Sequence, residues 1–185
     1  MRSFTFKTLV LSAALAFTAA AQAQENPMVG GAPMLAERNI VENAVNSADH
    51  TTLVAAVQAA GVVETLQGPG PFTVFAPTNA AFEMLPAGTV DTLLMEENRD
   101  QLTSVLTYHV VAGNLSGPEL GRMAQMGGDD AMLTTVQGSM LTVVPSGQGV
   151  AIVDANGNEA IVTIADVNQS NGVIHVVNGV LLPAI

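Results

Sequence analysis

A chain of 185 residues that is 49% hydrophobic and only 11% charged is long enough for one domain with its own core, and too apolar to be disordered. A formal net charge of −11 repels phosphate backbones and anionic lipid, which argues against nucleic-acid and electrostatic membrane partners. The absence of cysteine removes disulfides, a thiol nucleophile and a lipoprotein anchor, so core packing alone must hold the fold.

Residues 1–23 read as a secretory signal. Arg2 and Lys7 give a positive start, Leu9 to Ala21 is nearly all apolar, and Ala21-Gln22-Ala23 places small residues where a signal peptidase reads. The apolar run is about 13 residues, short of the ~20 a bilayer span needs, which disfavours a retained anchor. Cleavage after Ala23 leaves Arg38, Arg99 and Arg122 against all sixteen acids, a net charge of −13 without a lysine. The chain is therefore expected outside the cytoplasm, secreted or periplasmic.

Residues 24–38 read as a flexible leader, broken by Pro27, Gly30, Gly31 and Pro33. From Asn39 the period becomes helical. Ile40, Val41, Ala44 and Val45 share a face, and Leu53, Val54, Val57 and Ala60 repeat the spacing before Gly61. A helical turn through Val62, Val63 and Leu66 stops at Gly68-Pro69-Gly70-Pro71. Phe72 to Ala76 reads as a buried strand, after which Thr78 or Asn79 can cap a short helix. Residues 89–95 and 99–107 read as helices, the second with Asn98 and Gln101 as a capping pair. Ser116-Gly117-Pro118-Glu119 reads as a capping box opening another helix.

The last third is β-branched. Met132–Val136, Leu141–Pro145, Val150–Val153, Glu159–Ile164 and Val173–Val177 read as short strands, with Asn156-Gly157 as a hairpin turn. Helices followed by strands predict an α+β domain over residues 39–185.

Three segments together resemble the fasciclin (FAS1) family. One runs from Phe72 to Phe82 and includes Thr73, Phe75, Pro77, Thr78 and Asn79. Another is Tyr108-His109-Val110-Val111 with Gly113. The third is Asn171 to Pro183, with Gly172, His175 and Asn178; Asn178 departs from the family, which more often has an acid there. The resemblance covers residues 39–185. It implies a β-wedge or sandwich of about seven short strands with helices packed around it, and a non-catalytic role in adhesion or surface interaction. It attributes adhesive activity to the tyrosine–histidine region, here Tyr108 and His109 with Leu106, Val110 and Val111.

The residues support that direction. There is no mature lysine for a Schiff base or phosphate loop, and no serine in a nucleophile-elbow context. His50, His109 and His175 lack metal-ligand spacing, and neither a metal nor a cofactor is expected. His109 and His175 sit in apolar runs and suit buried neutral imidazoles, so Tyr108-His109 is either core or interaction surface. Thr73, Thr78 and Asn79 read as strand and cap residues. Asp154 to Glu159 faintly suggests a calcium loop, but its glycine falls two positions early and a hairpin turn fits better. No tryptophan is present to offer a sugar-binding face. The expected function is an exported binding module with an unknown protein or surface partner. The alternative is a carrier of a small apolar ligand such as a pigment or lipid, a role some fasciclin-like proteins resemble, with methionines lining an adaptable groove.

Overall fold

A computed structural model describes residues 26–184; the signal segment read at residues 1–23 lies outside the described residues. The helical half contains α1 (Ile40–Ala44), α2 (Thr51–Ala60), α3 (Val63–Leu66), α4 (Asn79–Glu83), α5 (Thr89–Leu93), α6 (Arg99–Tyr108) and α7 (Gly117–Met126). Strands β1 (Met28–Val29) and β2 (Ala32–Pro33) form a small hairpin. Strands β3 (Phe72–Pro77), β4 (Val110–Ala112), β5 (Met132–Thr134), β6 (Met140–Ser146), β7 (Gly149–Val153), β8 (Glu159–Gln169) and β9 (Gly172–Val177) make one mixed sheet in the order β4-β3-β9-β8-β7-β6-β5. Only the β3–β9 pair is parallel. A bridge between Val111 and Thr135, with Val136 N–H donating to the Val110 carbonyl at 2.7 Å, joins the two outer strands and curls the sheet into a near-barrel.

The central strands serve two cores. Every residue of β9 is buried, and so are five of the six in β3. Strands buried on both faces read as unbroken apolar runs rather than alternating ones, as Val173 to Val177 does. Val74, Ala76, Ile174 and Val176 face the helices α1 to α6, whereas Phe75 and Val177 face the barrel interior with Tyr108, Leu141, Val143 and Ile152. Helix α7 closes that interior with Leu120 and Ala124.

Several local devices differ from those the sequence suggests. The capping box belongs to Asn39 and Glu42, each accepting from the other's backbone N–H at 2.9–3.0 Å. Thr78 caps α4, its hydroxyl accepting from Ala81 N–H. Asn79 instead reaches the start of α2, accepting from Thr52 N–H and donating to the Ala48 carbonyl. Asn98 makes no cap bond and donates its amide to the Thr92 carbonyl. Ser116 does not cap α7 either: Asp166 does, from a bulge in β8, accepting from Gly117 N–H at 2.7 Å. That bulge, with Asp166 at φ 58°, lets β8 run to Gln169, five residues beyond the apolar run ending at Ile164.

Residues 26–38, read as a flexible leader, are instead strapped to the domain. Val29 and Met34 are buried. The Asn26 amide exchanges two hydrogen bonds with the Asn168 backbone, and the Asn43 amide does the same with the Leu35 backbone. Each amide imitates a strand partner, a device that leaves no hydrophobic period to read.

Candidate interaction site

The five residues considered for an interaction surface, Leu106, Tyr108, His109, Val110 and Val111, are all buried. Helix α6 ends at Tyr108, and β4 begins two residues later, so both side chains turn inward at the junction. The Tyr108 hydroxyl donates to the Met140 carbonyl at 2.9 Å and accepts from Ala155 N–H at 3.0 Å; burial raises its pKa, against the opposing pull of the Ala155 bond. His109 Nε2 accepts from Leu181 N–H at 2.9 Å, and since that amide can only donate, Nδ1 carries the proton toward the Val105 carbonyl at 2.7 Å. Burial pushes the His109 pKa down to about 4.

His175 follows the same logic in the barrel interior. Its Nδ1 accepts from Asp166 N–H and its Nε2 donates to the Leu115 carbonyl at 2.7 Å. The ring stacks on Phe75 with centroids 5.8 Å apart, and burial lowers its pKa. His50 pairs through Nδ1 with the Ser47 hydroxyl at 2.9 Å. Its Nε2 is the one buried side-chain nitrogen or oxygen without a hydrogen-bond partner among the described residues. The three imidazoles lie in separate surroundings, and no three of His, Asp and Glu gather as a metal site among the described residues.

The other box residues hold the frame. The Thr73 hydroxyl donates to the Gly113 carbonyl and accepts from Leu115 N–H, fixing the loop before α7. Phe82 and Pro77 are buried. Asn178, where the resemblance implies an acid, accepts from Ile161 N–H at 2.8 Å through its amide oxygen, so it still supplies an acceptor. Gly172 packs so closely on Phe72 that a Cβ would lie 2.0 Å from the Phe72 carbonyl oxygen. Asn171, not singled out from the sequence, accepts from Ile40 N–H and donates to the Leu66 and Gly68 carbonyls, joining three segments. Pro183 lies in the closing segment beside Asn156, whose amide donates to the Leu182 carbonyl.

Asp154 accepts from the backbone N–H groups of Asn156, Asn158 and Leu182 and from the Asn158 amide. Its oxygens are thus filled by donors that a cation would have to displace, and the segment is a hairpin turn pinned to the end of the domain.

Two openings differ in size and character. An apolar void of about 40 Å³ lies between α1, α2, α3 and the sheet, lined by Ile40, Leu53, Val57, Leu66 and Ile174 among others. A groove of about 790 Å³ runs along α5, α6 and the closing segment. Thr89, Thr92, Gln101, Ser104 and Asn156 bring hydroxyls and amides to it, and Leu93, Leu182 and Pro183 bring apolar surface.

The sequence profile of the Fasciclin domain matches residues 48–183. Protein sll1483 of Synechocystis sp. is 43% identical over 162 residues, covering 86% of this chain and 82% of that one. The immunogenic protein MPT70 of Mycobacterium tuberculosis is 37% identical over 145 residues, covering 76% of this chain and 66% of its own length. Transforming growth factor-beta-induced protein ig-h3 of Sus scrofa is 39% identical over 131 residues, 71% of this chain but 17% of that protein. A solved FAS1 domain pair from the insect cell adhesion molecule fasciclin I superposes with a TM-score of 0.69 at 19% identity, covering 82% of this chain and 52% of the pair.

Proposed function

The chain belongs to the fasciclin domain family, and from that premise we propose that it is an exported, non-catalytic binding module, an adhesion or envelope-interaction protein that meets its partner through its folded surface. One observation carries this reading. The polar groups of the family boxes, including Tyr108, His109 and His175, are spent on internal hydrogen bonds, which leaves recognition to residues outside them. The groove along α5 and α6 is the concave surface best suited, since it mixes apolar floor with hydroxyl and amide donors and acceptors. A relative in Mycobacterium bovis, 33% identical over 167 residues, is named a cell surface glycolipoprotein, which agrees with a place outside the cytoplasm. No helix among the described residues is long and apolar enough to cross a membrane. The carrier reading has less support. The apolar void of about 40 Å³ is far below the ~300–1,000 Å³ of small-molecule pockets; the groove of about 790 Å³ is large enough but part polar, and no methionine lines either.

The test begins with crosslinking in the native envelope to identify the partner, followed by dissociation constants for the wild type and for Ser104→Trp, which fills the groove. Between 0.1 and 1 M salt the screening length falls from ~10 to ~3 Å, and wild-type affinity should fall less than about tenfold. Ser104→Trp should weaken binding by at least roughly tenfold, the loss of a central contact. A steep loss with salt would make the acidic surface the determinant, and full binding by Ser104→Trp would remove the groove from the proposal.

A further inference from the structure

Leucine and methionine are close in size and hydrophobicity and exchange readily in cores, yet this fold separates them. Of the fourteen leucines between residues 26 and 184, only Leu35 is exposed. Of the eight methionines in that span, Met28, Met84, Met95, Met126, Met132 and Met140 are exposed, while Met34 is 5% exposed and in the core. In four of the five adjacent pairs, Met84-Leu85, Leu94-Met95, Met132-Leu133 and Met140-Leu141, the leucine packs on a core and the methionine faces outward; in Met34-Leu35 the order is reversed. Exchanging the two within any such pair would keep the pattern of apolar residues, so packing alone does not account for which one is outside.

What distinguishes an exposed methionine from an exposed leucine is its sulfur. No cysteine or tryptophan is present, and Tyr108, His50, His109 and His175 are all buried. Among the described residues the methionine thioethers are therefore the readily oxidised groups that solvent reaches. On the sheet, Met132 opposite Thr142 and Met140 opposite Thr134 bring two of them to one face of the β5–β6 pair.

We infer that the six exposed methionines are surface oxidation sites, taking oxygen from hydroperoxides while the leucine-filled core is spared. The thioether sulfur attacks one peroxide oxygen. The S–O bond forms, the O–O bond breaks, and the departing oxygen keeps its electron pair and takes up a proton, leaving as an alcohol or as water. Sulfur is oxidised by two electrons, the peroxide is reduced by two, and the product is methionine sulfoxide, which methionine sulfoxide reductases return to the thioether.

The test treats the folded protein with hydrogen peroxide, follows each methionine by peptide mass mapping, and records the melting temperature. The six exposed sites should each gain one oxygen at least roughly tenfold faster than Met34, as reactivity follows exposure. With all six oxidised, the melting temperature should stay within about 5 °C, since changes at exposed positions have small effects on stability. Methionine sulfoxide reductases should then remove the oxygens from the still-folded protein. Oxidation of Met34 keeping pace with the surface sites, or a larger fall in melting temperature, overturns the assignment.

Discussion

Leu181 donates its backbone N–H to Nε2 of His109 at 2.9 Å, across 72 residues of chain. With Nδ1 held by the Val105 carbonyl, a neutral imidazole ties the end of α6 to the closing segment. His109→Ala removes the ring and strands a buried carbonyl and a buried amide. The expected cost is about 2–4 kcal/mol, read as a lower denaturation midpoint at neutral pH. An unchanged midpoint would show that the link contributes nothing.

The same burial makes stability depend on pH. An unfolded histidine titrates near 6.5, and His109 in the fold titrates at about 4. Between those values the unfolded chain binds more protons, so stability is full above about pH 6.5 and falls as pH is lowered through the window. For His109 alone the loss is about 2 kcal/mol by pH 5. His50 and His175, also lowered by burial, shift it in the same direction. Chemical denaturation at pH 7.5, 6 and 5 should give falling midpoints; a flat series would contradict the buried, neutral state.

Tyr108→Phe is the mildest probe of the barrel interior. The phenyl ring fills the same space, and only the hydroxyl that joins the Met140 carbonyl to Ala155 N–H is lost. Leaving both groups unsatisfied should cost about 1–3 kcal/mol. Hydrogen exchange at the Ala155 amide should quicken in step with the measured loss, and an amide as protected as in the wild type would place its partner elsewhere.

Asp166 combines a left-handed backbone with a helix cap. Asp166→Asn keeps both an αL-tolerant residue and an acceptor for Gly117 N–H, whereas Asp166→Ala keeps neither. The alanine variant should lose about 1–2 kcal/mol, as cap deletions do, and the asparagine variant clearly less. Equal losses would mean that neither the cap nor the backbone conformation of Asp166 matters.

The helices with an apolar stripe, α2 and α6, and the β-branched strands were legible because their periods are regular. The motifs at Phe72–Phe82 and Asn171–Pro183 pointed to the right family. What escaped the sequence were long-range uses of polar side chains. Asp166 caps a helix that begins 49 residues earlier, and Asn79 serves α2 rather than its own helix. The strap formed by Asn26 and Asn43 is built from amides that imitate backbone, and no local pattern announces such pairings. At Tyr108-His109 the residues themselves were evident, but core and surface readings shared one composition. The burial of both was decided by the tight turn from α6 into β4.

Among the described strands β9 comes last in sequence and yet lies inside the sheet, between β3 and β8. A polypeptide emerging from its N-terminus has β3 in hand for about a hundred residues before its parallel partner exists. Until residue 172 arrives, β3 and β8 each lack a neighbour on one side, and Val74, Ala76 and Ile164 lack the flanking Ile174 and Val176. Contacts of such long sequence separation slow folding because the intervening loop must close first. The sheet therefore closes late, only when the segment that forms β9 has been made and has found its place between two strands already present.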